Sequence, residues 1–283
     1  MPKSDRRIDH LVLAVHDIDA AGKTYERMGF QVGKRNRHPW GTENRLVQFG
    51  SSFLELISVG DGAEIEPHRP RHFSFGAFVR DYLAEREGLA MFVLDSPDAE
   101  ADALRFARTG IGDYEPFFFE RRGRRSSGED VRVAFSLAFA THAALPEAAF
   151  FVCEQHEPDN FWNPDFQQHS NGATDVAEIT CAASEPGVLA DFLADFAGVP
   201  VPDVTAEGFS IKLSHNGRIC VTRDAVRCGL TSLSVSVPDL DRMSRILTDA
   251  GLAFRTPVAN RITVDANETF GVSVEFVLQE STA

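Results

Sequence analysis

The chain has 283 residues, 43% hydrophobic and 25% charged, a composition that excludes a disordered or fibrous protein and exceeds the usual single-domain length. A formal net charge of −14 argues against a general phosphate-backbone binder, because sequence-independent nucleic-acid affinity comes from Lys and Arg neutralising phosphates. No signal-peptide core or membrane-length apolar run is visible, so the expected location is cytoplasmic, with no nucleic-acid and no membrane partner. The four cysteines, Cys153, Cys181, Cys220 and Cys228, have no CxxC spacing and fall mostly in apolar runs, as reduced core residues do. Phe, at 23 against 3 Tyr and 2 Trp, points to a large apolar interior or a lined cavity.

The first element is a strand at Ile8 to Val15. Its alternation puts His10, Val12 and Ala14 on one face and Leu11, Leu13 and Val15 on the other. A helix signal and two strand signals follow, and the apolar run Phe53 to Ile57 closes a β-α-β-β-β unit with Glu55 at its centre. Gly60 to Arg86 breaks the pattern and reads as a loop plus short helix, with a lid over the unit as the alternative. A second unit starts at Leu89, with strand-like runs around EPFFFERR, VRVAFSLAF and AAFFVCEQ. In it, Arg121, Arg122, Arg124 and Arg125 read as a solvated hairpin tip, or less simply as an anion-binding cluster. His156 to Gly172 is a linker. The third unit runs from Asp175 and the fourth from about residue 230.

The first and fourth units are copies. Shifted by 222 residues, LVLAVHDIDAAGKTYERMGF lies over LSVSVPDLDRMSRILTDAGL without a gap, each with an apolar strand, an acidic residue at the helix start and Gly at its end. The expected fold class is therefore α+β: four βαβββ modules paired into two cupped mixed β-sheets, with halves at 1–160 and 161–283.

IDHLVLAVHDIDAAGKTYERMGF followed by FLELISV resembles the opening module of the vicinal oxygen chelate superfamily, which includes glyoxalase I, extradiol dioxygenases and bleomycin-resistance-type binding proteins. HPWGTEN at His38 to Asn44 and the later QQHSNGAT resemble its glyoxalase-like members. The resemblance implies metal ligands on the first and last strands of a module, the places of His10 and Glu55. It implies a divalent ion, with Zn, Fe, Mn, Ni and Co all open, or none at all.

The other modules offer Met91, Glu178 and Ser232 at the His10 position. At the Glu55 position they offer Glu275, and Val152 or Glu154 with His156 beyond. If modules one and four pair, His10, Glu55 and Glu275 form a three-ligand site, with Glu55 or Glu275 moving a proton. If one and two pair, the third ligand is Glu154 or His156. Trp40, Thr42 and Asn44 are expected at the cup mouth as substrate contacts, with His156 and His169 as weaker ones; His16, His142 and His215 read as structural or surface residues.

The implied activity is a metal-dependent lyase or isomerase on a small vicinal-oxygen substrate. A metal-free small-molecule binding or sequestration protein is the alternative, and a ring-cleaving dioxygenase a second. The expected partner is that small molecule, with a homodimer left open. No P-loop, GxSxG, HExxH or Rossmann fingerprint stands out.

Overall fold

Each module begins with a strand, buried on both faces in modules one and two, then turns into a helix; in modules one, two and four an aspartate caps that helix. In module one these are β1 (Ile8–Ala14) and α1 (Ile18–Arg27), with the Asp17 carboxylate accepting the N–H groups of Asp19 and Ala20. Module two repeats this with β5 (Gly88–Asp95) and α3 (Ala99–Thr109), capped by Asp98 and ended by left-handed Gly110. In module four, β12 (Gly229–Val237) leads to α6 (Leu240–Asp249), capped by Asp239. The bounds of α6 are those of α1 displaced by 222 residues at both ends. A computed structural model describes residues 3–124, 129–258 and 260–279; Arg125 of the basic cluster lies outside them.

Three strands complete module one, β2 (Asn36–Arg37), β3 (Thr42–Gln48) and β4 (Phe53–Val59). Module two adds β6 (Phe117–Arg124), β7 (Asp130–Ala140) and β8 (Ala149–Gln155). Module three is shorter, with β9 (Asp175–Ala183), α5 (Ala190–Ala197), β10 (Gly208–Lys212) and β11 (Arg218–Arg223). Module four ends with β13 (Phe254–Arg255), β14 (Arg261–Val264) and β15 (Ser273–Leu278).

The pairing of modules is settled by antiparallel contacts between their first strands. β1 lies against β5, with Val12 opposite Met91, and β12 lies against β9, with Ser234 opposite Glu178. One cup is therefore made by modules one and two and another by modules three and four. Among the described residues, the bridge from Leu230 to Leu89 joins β12 to β5 and so links the cups in one fifteen-stranded sheet. The pairing of module one with module four, which would bring Glu275 to His10, does not occur.

Two apolar layers result. Leu11, Leu13 and Val15 join a core shared with the helices and with the second half, whereas Val12, Ala14 and Ile57 belong to a cluster inside the first cup. Part of that cup is filled by α2 (Phe75–Glu85) from the Gly60 to Arg86 connector, which buries Val79 and Leu83 there. No helix among the described residues is long and apolar enough to cross a membrane.

Candidate functional site

The part of the first cup that α2 leaves open is a cavity of about 510 Å³ counted out through its mouth. Aromatic rings form its walls: Trp40, Phe53, Phe75, Phe119, Phe151 and Phe161. Phe161, in the short helix α4 (Pro158–Phe161), is fastened over Phe53 by Gln48. The Gln48 amide donates to the Phe161 carbonyl at 3.0 Å and accepts the Asn163 N–H at 3.2 Å. Five polar side chains, His10, His38, Asn44, Glu55 and Arg121, line the same space.

Each of these has a local reason for its place. His10 lies on the cup face of β1, and its ring stacks on Phe53 at 4.2 Å and meets the edge of Phe151 at 5.3 Å. Its Nδ1 is 2.6 Å from the carboxylate of fully buried Asp9, which also accepts from Gln155 at 2.8 Å. In the neutral ring Nδ1–H donates to Asp9 and Nε2 is left as an acceptor with no partner among the described residues. Glu55, two residues along from Phe53, accepts the Asn44 side-chain N–H at 2.5 Å. The second hydrogen of that amide reaches His38 Nε2 at 3.2 Å, and His38 Nδ1–H donates to Thr42 at 2.8 Å. Burial holds the His38 ring below the ordinary histidine range, against the pull of Glu55 and with a smaller push from Arg121.

Arg121 belongs to the inward-facing positions of β6, after Phe117 and Phe119. It lines the same cavity as Glu55, and burial lowers its affinity for its proton while Glu55 raises it. The solvated-tip reading is therefore wrong for Arg121 and right for exposed Arg122. The alternation of FFFER carried the signal: counted by twos from Phe117, Arg121 points inward with the aromatics.

The other candidates named from the sequence lie elsewhere or act indirectly. Trp40 forms a wall, stacked on His38 at 4.5 Å, with its indole N–H buried and without a hydrogen-bond partner among the described residues. Thr42 is fully buried behind His38 and positions it. His156 is outside the cup, bonded to Ser136 at 2.9 Å. His169 is a fastener: its Nε2–H donates to the Gln48 carbonyl at 2.8 Å and its Nδ1 accepts the Gln31 N–H at 2.9 Å. Glu275 is in the second cup, ion-paired with Arg261. His38, part of HPWGTEN, has no sequence signal of its own apart from its neighbours Trp40, Thr42 and Asn44, which carry the whole weight of that stretch.

The register between strands tests whether a divalent ion suits this cup. Glu55 is level with Val12 on β1, and by the same pairing in module two Phe151 is level with Val93 on β5. The four ring positions are thus His10, Glu55, Met91 and Phe151, two donors and two apolar side chains. Val152 packs into the helix-side core, and Glu154 accepts the Ala99 N–H at the start of α3, at 2.9 Å, so neither supplies a ligand. Among the described residues no three His, Cys, Asp or Glu side chains form a group able to hold a metal. With a cation, Arg121, lining the same space as Glu55, this donor set does not fit a divalent ion.

A cupped sheet of paired βαβββ modules with a lined cavity in the cup defines the glyoxalase and dioxygenase class of fold. The chain belongs to the glyoxalase-like domain family, whose pattern matches residues 8–196. No curated protein sequence matches it significantly. Among solved structures, a hypothetical protein from Staphylococcus aureus is similar at a TM-score of 0.68 and 12% identity, covering 99% of this chain and 100% of that one. A variant of 4-hydroxymandelate synthase from Streptomyces coelicolor gives 0.60 and 13%, covering 99% and 95%. A fusion of a xylose isomerase-like TIM barrel with 4-hydroxyphenylpyruvate dioxygenase gives 0.56 and 15%, covering 99% of this chain and 50% of the fusion. At these identities the likeness is one of fold.

Proposed function

We propose that the first cup binds a small, planar, oxygen-bearing molecule and that this glyoxalase-like protein does so without a resident divalent metal. The observation that carries the reading is the convergence of His10, His38, Asn44, Glu55 and Arg121 in an otherwise apolar, mostly aromatic cavity. Small-molecule sites combine apolar walls with a few convergent polar groups, and this cavity has that make-up. Arg121 offers N–H donors to a carboxylate or carbonyl of the ligand. His10 Nε2 and the Glu55 oxygen not bonded to Asn44 offer acceptors to a hydroxyl. The rings on either side take a flat apolar body.

One observation favours a second reading, an acid–base enzyme on the same ligand. Asp9 orients His10 as a carboxylate orients a general base, leaving Nε2 to accept a proton from bound substrate. Binding alone and turnover are separated by His10→Gln, which keeps affinity but abolishes conversion if the second reading holds.

The test is a thermal-shift and Trp-fluorescence screen of aromatic hydroxy and oxo acids, run beside titrations with Zn, Mn, Ni, Co and Fe(II). We expect at least one acid to raise Tm in the wild type and to lose roughly tenfold or more in affinity in Arg121→Met, the scale of a lost charged hydrogen bond. Near-stoichiometric metal uptake, lost in both His10→Ala and Glu55→Ala, would overturn the metal-free reading and restore the metalloenzyme.

A further inference from the structure

The second cup has its own ring of the same kind, and the strand register identifies its members. Ser232 on β12 takes the place of His10, and Glu275, level with Ser234, takes that of Glu55. Across the β9 pairing, Glu178 is opposite Ser234 as Met91 is opposite Val12, and Cys220 is level with Thr180 as Phe151 is with Val93. This ring holds two carboxylates, a thiol and a hydroxyl, a richer donor set than that of the first cup. Burial first, and then the neighbouring Glu178, raise the Cys220 thiol to about 12.

Yet the space between the two carboxylates is taken by a side chain. Arg261, on β14, places Nη1 in a hydrogen bond with the Glu275 carboxylate, 3.2 Å from Ser234 Oγ and 3.5 Å from the Glu178 carboxylate. Ser234 donates to the same Glu275 oxygen at 2.9 Å. Both carboxylates are largely buried, and a second guanidinium, Arg218, lines the same cavity. Arg261 is the cation that touches both carboxylates among the described residues.

We infer that Arg261 is a built-in cation for the second cup: its guanidinium stands between Glu178 and Glu275 where a divalent ion would be held, and it closes that ring to metal. The physics follows from the cost of uncompensated buried charge. Two half-screened carboxylates close together repel, and some cation must lie between them. A guanidinium fixed to the chain does this at every metal concentration. With the guanidinium in place no three such side chains among the described residues converge around an ion; removing it frees two carboxylates and a thiol to do so, donors suited to Zn and, through the carboxylates, Mn. The inference concerns a different cavity from the proposed ligand site and stands independently of that reading.

The experiment is elemental analysis and calorimetric titration with Zn and Mn salts on the full chain. Wild type, Glu275→Gln, Arg261→Met, Arg261→Lys and the double variant Arg261→Met/Glu275→Gln are compared, with circular dichroism to show folding. We expect equal uptake by wild type and Glu275→Gln, a near-stoichiometric gain in Arg261→Met, and none in Arg261→Lys or the double variant. Uptake by wild type that falls in Glu275→Gln means that an ion displaces the guanidinium, and it overturns the inference. So does a folded Arg261→Met that binds no more than wild type. If the Arg261 variants do not fold, the comparison of wild type with Glu275→Gln decides alone.

Discussion

His38 is the residue whose chemistry the structure constrains most tightly. Its Nε2 already accepts from Asn44, whose other hydrogen is committed to Glu55, so a proton on Nε2 would face a donor rather than an acceptor. Burial pushes in the same direction, and the ring is neutral in the folded state at a pH where the unfolded chain protonates it. Between the ordinary histidine value of about 6.5 and the lowered folded one, the unfolded state binds more protons. Stability is therefore full above about pH 6.5 and falls as pH drops through that window. His68 and His169, both lowered chiefly by burial, add to the fall. Thermal melts from about pH 8 to 5 should show Tm declining below about 6.5, with a smaller decline in His38→Gln; equal slopes in the two proteins would refute the assignment. The thiols separate in the same way. Burial raises Cys153, Cys181 and Cys220, the last two to about 12, whereas Cys228 is exposed. Alkylation of the native protein at about pH 8 followed by peptide mass spectrometry should label Cys228 first; early labelling of Cys153 would show that the cup opens to solvent.

At the scale of elements, α2 decides the shape of the cavity. It starts at Ser74, whose hydroxyl accepts the Ala77 N–H, and the residue before the cap, Phe73, packs on Phe78 in the first turn at 5.5 Å. Phe73 also stacks on Phe139 of β7 at 4.1 Å, tying the helix start to module two. Magnitudes rank the two anchors: Ser74→Ala should cost about 1 kcal/mol, as a lost cap does, and Phe73→Ala about 3–5 kcal/mol, as a buried ring does. Urea unfolding curves will read both, and a larger loss for Ser74→Ala would show that the cap rather than the ring docks the helix. The repeated strands and Asp-capped helices were legible in the sequence, because burial periodicity and capping are local. So were the inward faces of His10 and Glu55, and of Arg121 once alternation is counted along β6. The choice of module pairs was not legible, since each first strand has an apolar face toward the helices and that pattern does not say which strand it pairs with. The fate of Glu275 depended on that choice. Nor could local pattern show that α2 enters the cup, because its apolar side chains would equally suit a helix on the outside.

The whole molecule behaves as two cups on one core. Phe192 and Phe196 of module three pack against Phe150 of module two, at 4.9 and 5.5 Å between ring centres, and Phe196 also meets Phe92 and Phe106. The Ser51 and Ser52 hydroxyls both donate to the Asp175 carboxylate, and the Ser4 hydroxyl donates to the Ala197 carbonyl at 2.6 Å. Where the cups touch, Gly271 has a φ of +83° and a Cβ there would come within 2.1 Å of the Glu87 carbonyl oxygen, next to the strand that carries the Leu89 bridge. Gly271→Ala must therefore both strain its own backbone and push the junction apart, a loss on the order of 1–3 kcal/mol. Because the aromatic cluster belongs to both halves, neither can lose its packing without exposing the other's rings, and one cooperative unfolding transition is expected. Calorimetry of the wild type should show a single peak, and Gly271→Ala should move that whole peak down. Two resolved peaks, with only one of them shifted, would mean that the cups fold as separate units and that Phe192 and Phe196 contribute little to holding them together.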